Sequence, residues 1–139
     1  MKALFTLLLF GFLVQTGTAQ EIIPKAIEVG SYIKVNACKK GAIEFESMDV
    51  YARTTPYDKR KVDTLTGEGL LDAFFNDKSI DAKRLPCVMG NRSYKIAALQ
   101  EFEDKGVVKR VILCYTAYPL TLIWIELDKA IALNEISVE

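Results

Sequence analysis

The chain has 139 residues, half of them hydrophobic, with 18 basic and 18 acidic side chains and no histidine. Balanced charge gives no electrostatic reason to expect nucleic acid or an anionic membrane as partner, and the apolar content argues against disorder. Without an imidazole, Ser-His-Asp and Cys-His catalysis, His-ligated zinc and the HExxH class are excluded.

Met1-Lys2, the apolar run Ala3 to Val14 and the small, polar Gln15-Thr-Gly-Thr-Ala19 form the three regions of a secretory signal, with Gly17 and Ala19 placed for a signal peptidase. The run is shorter than the ~20 residues of a membrane span. Cleavage is expected after Ala19, making 1–19 a signal peptide and 20–139 a single small α+β domain, secreted or periplasmic. Its 17 basic and 18 acidic residues give a formal charge of −1, since Lys2 is the only charge removed. No second apolar segment in the sequence is long enough to span a bilayer.

Downstream, strand-like runs alternate with turn signals. From Ala26 to Ala37, Ile27, Val29, Ile33, Val35 and Ala37 share one parity and Glu28, Lys34 and Asn36 the other, which predicts a half-buried strand. Cys38-Lys-Lys-Gly41 is expected to turn it onto a partner strand, Ala42 to Arg53. The apolar parity of that partner slips between Phe45 and Met48, placing a bulge near Ser47. Thr54 to Asp63 is a polar connection, its Lys59-Arg-Lys61 flanked by acids and read as a solvated loop. Gly67-Glu-Gly69 lacks the third glycine of a nucleotide-binding turn and reads as a loop. Leu70, Leu71, Phe74 and Phe75 then form the stripe of one short amphipathic helix ending at Asn76-Asp77.

Tyr94 to Glu103, Val107 to Tyr115 and Leu120 to Leu127 predict a C-terminal three-stranded meander. A three-residue loop, Asp104-Lys-Gly106, pairs Glu101 with Lys109, Leu99 with Val111 and Ala97 with Leu113. Setting Tyr115 against Leu120 then places Lys109 opposite Glu126 and Val111 opposite Trp124. The opposite face carries Ile96, Ala98, Phe102, Val108, Ile112, Ile123 and Ile125, so the sheet should be covered on both sides or curled around its own core. The fold class expected is α+β, predominantly antiparallel, with five to six strands and one helix packed on them.

Three functional classes follow. A carboxylate hydrolase would use Glu101 and Glu126, two strands apart, but Lys109 between them would keep both ionised and leave no general acid. A thiol enzyme would use Cys87 with Arg84 or Arg92 lowering its pKa, and it lacks a base. Cys38 and Cys87 each adjoin a turn, so a disulfide between them, with Cys114 buried in an apolar strand, is the expected arrangement of the three cysteines. With no CxxC spacing, no metal site or cofactor is expected. The remaining class is a non-catalytic binding or interaction domain, its partner a protein or a small apolar ligand, its surface the aromatic group Tyr115, Tyr118 and Trp124 around Pro119. The simpler reading of Trp124 by itself is as a core residue beside Val111 and Leu99, the neighbours its register predicts. Asn91-Arg-Ser93 is a glycosylation sequon, relevant in a eukaryotic source.

Overall fold

The computed structural model describes residues 27–76 and 79–138, so the expected signal peptide and cleavage point lie outside the described residues. The elements are β1 (Tyr32–Val35), β2 (Glu44–Ala52), α1 (Leu70–Phe75), β3 (Asp81–Pro86), β4 (Arg92–Asp104), β5 (Val107–Tyr115), β6 (Thr121–Glu126), α2 (Leu127–Ala132) and β7 (Ile136–Val138). The strands form one 7-stranded sheet in the order β3-β2-β6-β5-β4-β1-β7, every pair antiparallel. This is the expected α+β class, with more strands than the sequence suggested and a second helix.

Curling follows from β4. Its residues 92–95 pair with β1, and its residues 96–104 pair with β5. Between Ile96 and Ala98 the register shifts, leaving Ala97 as an extra residue. A bulge bends a strand and sharpens its twist, so β4 turns the corner of a half-barrel here. The concave side buries Ile33, Phe45, Met48, Leu85, Ile96, Ile112, Cys114, Ile123 and Ile125, with Leu127 and Ala130 of α2 packed into the same cluster. On the convex side, α1 lays Leu70 and Phe74 over Ala97, Ala98, Val111, Leu113 and Leu122. Covering on both sides, expected from the doubly apolar strands, is therefore what the sheet has.

The two ends of the sheet are joined by side chains. The Glu135 carboxylate, ahead of β7, accepts from the backbone N–H groups of Glu46 (3.0 Å) and Ser47 (2.9 Å) and from the Ser47 hydroxyl, all in β2. The β2 register shifts between Glu44 and Asp49, so this is the bulge expected near Ser47, and the carboxylate satisfies donors that the ladder leaves open. Asn134, with φ 57°, ends α2, and Glu135 N–H returns to the Ala130 carbonyl at 2.8 Å, which aims the carboxylate inward. Cys38 after β1 is bonded to Cys87 after β3, with Cα atoms 5.6 Å apart. A carboxylate and a disulfide thus join segments from opposite ends of the sheet.

Several expectations are corrected. Strand β1 is confined to Tyr32–Val35, because residues 28–30 turn and Gly30 takes φ 95°. It does not pair with β2 across Cys38–Gly41; it pairs with β4 and β7, while β2 lies between β3 and β6. Strands β3 and β7 and helix α2 were not expected: β3 is exposed at Asp81, Ala82, Lys83 and Arg84, α2 follows β6 without a break and starts at Leu127, inside the run expected as strand, and β7 has only three residues.

The β4–β5 hairpin has a two-residue turn, since Asp104 pairs with Val107 and both Lys105 (φ 54°) and Gly106 (φ 82°) are left-handed. Glu101 therefore faces Arg110, Leu99 faces Ile112 and Ala98 faces Leu113, a one-residue slip from the expected register. Across the next connection Tyr115 pairs with Leu122, because the Leu120 carbonyl accepts from Arg53 N–H and the Thr116 hydroxyl closes the loop onto Thr121. Val111 then faces Glu126 and Leu113 faces Trp124.

Glu135→Ala should lower stability to urea by on the order of 3 kcal/mol, because it strands buried donors, while Glu135→Gln, which keeps one oxygen acceptor, should lose clearly less. Equal losses for the two would contradict the clasp. The disulfide closes a separation of 49 residues, and the paired Cys38→Ser, Cys87→Ser variant should lose about 4 kcal/mol in the chain-entropy model, measured by the same unfolding.

Candidate functional site

The residues singled out by sequence separate in space. Tyr115 is half-buried in the convex cluster, and burial raises its phenol pKa. Tyr118 is 68% exposed and borders a different hollow with Val50, Lys83, Met89 and Thr121. Trp124 alone lies in a groove, of about 640 Å³, lined by Tyr51, Leu71, Asp72, Phe75, Asn76, Phe102 and Trp124. The expected three-residue patch is thus not a contiguous surface.

The groove is assembled by three independent local causes. First, the Ala97 bulge reverses the facing of β4 beyond it, so Phe102 stands on the Trp124 side instead of with Ile96 and Ile112. Phe102 stacks on Trp124 with centroids 5.6 Å apart and planes at 19°. Leu99, expected in that row, is turned away and 41% exposed. Second, β2 beyond its own bulge presents Tyr51 beside Trp124, centroids 5.9 Å apart.

Third, α1 brings Phe75 edge-on to both Tyr51 (5.0 Å) and Trp124 (5.8 Å). The helix is fixed from its end by Arg53, which is buried and donates to the carbonyls of Phe74 and Ala73 while its guanidinium lies over the rings of Tyr57 (5.8 Å) and Phe74 (5.7 Å). Gly67 and Gly69 let its leading loop approach: a β-carbon on Gly67 would fall 2.5 Å from the Ala97 carbonyl oxygen, and Gly67 has φ 80°. The loop reading of Gly67-Glu-Gly69 holds, and its role is close packing on the bulge.

Charge around the groove is acidic and mostly paired. Asp49, opposite Trp124 on β2, meets Arg84 at 3.5 Å, and Glu126 meets Lys129 at 3.8 Å. Burial raises the Asp49 carboxyl above its ordinary value against the opposing pull of Arg84, and burial followed by the Asp49 charge raises the Tyr51 phenol. Asp72 is exposed and makes no ion pair among the described residues.

The other candidates are dispersed. Lys109 pairs with Asp104 at 3.0 Å and Glu101 stands opposite Arg110, so Glu101, Lys109 and Glu126 do not form the expected row. The Cys87 sulfur is bonded to Cys38, so it is not a thiolate in the oxidised chain. Cys114 is free, fully buried, and its thiol is pushed up by burial to about 12. Asn91 is exposed, with φ 61°. Among the described residues no group of acidic and cysteine side chains is arranged to hold a metal ion, and no helix is long and apolar enough to cross a membrane.

Sequence reasoning missed Tyr51, Phe75 and Phe102 as neighbours of Trp124. Phe75 was legible as the edge of the helical stripe, whereas Phe102 depended on a bulge that two consecutive alanines do not announce. No protein-family model, curated protein or solved structure matches the chain.

A maleimide added to the native protein at pH 8 should leave Cys114 unlabelled, because the thiol is both shielded and protonated, and unfolding without reductant should expose it as the single reactive thiol. Rapid native labelling at Cys114 would contradict its burial.

Proposed function

We propose that this protein is an exported, non-catalytic binding module whose ligand site is the groove between α1 and the convex face of the sheet. The observation that carries this reading is the wall of Tyr51, Phe75, Phe102 and Trp124, with Tyr51, Phe75 and Trp124 in mutual contact and Phe102 stacked on Trp124, each ring left half-buried along an open hollow. A closed core would shield such rings, because burying an aromatic side chain stabilises a fold by roughly 1.5 to 3 kcal/mol. Leaving a contiguous set accessible is the arrangement of an apolar ligand site with a few polar groups at its margin, here Asp72 and Asn76.

Export is supported by the secretory features of Met1 to Ala19 and by the Cys38–Cys87 bond, which belongs to an oxidising compartment. The ligand of this reading is a small apolar molecule rather than a protein, because the hollow has the volume of a small-molecule site, about 640 Å³.

Trp124 is the chain's one tryptophan, so its fluorescence reports on the groove alone. Titration with the neutral apolar probe N-phenyl-1-naphthylamine should quench Trp124 saturably by energy transfer. Phe102→Ala should weaken that binding by about five- to tenfold, since an aromatic contact is worth on the order of 1 kcal/mol. Tyr118→Ala should leave it unchanged. Non-saturable quenching, or equal effects of the two substitutions, would contradict the assignment.

A further inference from the structure

We infer that the ligand of this groove is a small organic cation, an ammonium carried on an apolar body. This rests on the groove being the binding site and adds the sign of the ligand's charge. Two features agree on that sign.

The first is the character of the wall. Phenyl, phenol and indole rings carry negative electrostatic potential on their faces and attract a cation held within about 6 Å of a ring centroid, Trp most strongly. Tyr51, Phe75 and Trp124 meet at 5.0 to 5.9 Å with interplanar angles of 57° to 82°, so their faces are turned at steep angles to one another. An ammonium group, which has no preferred plane, accepts such non-parallel faces. A neutral ring also packs edge-on against such faces, so the sign of the ligand's charge is set by the ring faces together with the carboxylate beside them.

The second is the charge of the lining. Among the described residues, Asp72 is the only charged side chain that lines the groove. Of the basic groups near α1 and the convex face, Arg84 is engaged with Asp49 and Arg53 with the carbonyls of Ala73 and Phe74. Lys61 shares a smaller hollow with Asp72, and no ion pair joins the two. Among the described residues, Asp72 therefore offers a carboxylate outside any ion pair at the margin of an aromatic wall. An anionic ligand would meet that carboxylate and the ring faces with the same unfavourable sign.

The test is ligand-observed NMR titration of the folded protein with benzyltrimethylammonium, benzyl alcohol and phenylacetate, repeated on Asp72→Asn. The cation should bind more tightly than the neutral and anionic compounds, and Asp72→Asn should weaken the cation about fivefold, clearly more than it weakens benzyl alcohol. Asp72 is exposed on α1, and a Trp124 emission spectrum unchanged from that of the parent chain shows that the variant's groove is intact. Benzyl alcohol or phenylacetate binding as tightly as the cation, or a cation affinity indifferent to Asp72→Asn, would overturn the charge assignment and leave the groove as the site. No binding of any of the three at millimolar concentration would overturn both.

Discussion

The extra residue at Ala97 sets the direction of every side chain beyond it in β4. Strand side chains alternate with a period of two, so inserting one residue exchanges the faces of all that follow. Before the insertion, Tyr94 and Ile96 point into the concave core. After it, Phe102 points to the convex face and stacks on Trp124. The same insertion bends β4 so that its two halves pair with different strands, which is how one sheet comes to wrap around a core. The curl of the sheet and the Phe102 wall of the groove thus share one local cause.

Bending leaves the sheet with two ends that no strand ladder joins. In a closed barrel each edge would be paired by backbone hydrogen bonds. Here the Glu135 carboxylate binds the bulged backbone of β2, and the Cys38–Cys87 bond joins the segments that follow β1 and β3. A buried carboxylate is costly unless its oxygens are satisfied, and three donors from Glu46 and Ser47 converge on it. The closure leaves the outer face of the sheet free of barrel packing, and α1 covers only part of it. What α1 does not cover is the aromatic groove.

Much of this organisation was legible in the residues, and the failures have physical causes. The stripe Leu70, Leu71, Phe74, Phe75 specified α1, the parity slip at Ser47 specified the β2 bulge, and turn-flanking positions specified the Cys38–Cys87 pair. Hairpin register failed because Lys105 adopts the left-handed conformation alongside Gly106, a choice that a lysine does not advertise. On the N-terminal side of Ala97 the register error and the bulge cancel, so Ile96 and Cys114 share the concave face as alternation suggested. Between bulge and turn they do not cancel, and there Phe102 and Leu99 exchanged roles. The site was half legible: Trp124 was named for its residue type, whereas its neighbours come from β2, α1 and the misassigned part of β4. Tyr115 and Tyr118 were grouped with it by sequence proximity, which a sheet connection does not preserve.

The measurement that tests the central claim most directly is a nuclear Overhauser spectrum of the folded, oxidised protein with Phe102, Leu99 and Trp124 assigned. The bulged register predicts cross-peaks between the Phe102 ring and the Trp124 indole, with none from the Leu99 methyl groups to that indole. Contacts from Leu99 to Trp124, with Phe102 meeting Ile112 instead, would mean that β4 runs without its extra residue and that the groove described above does not form.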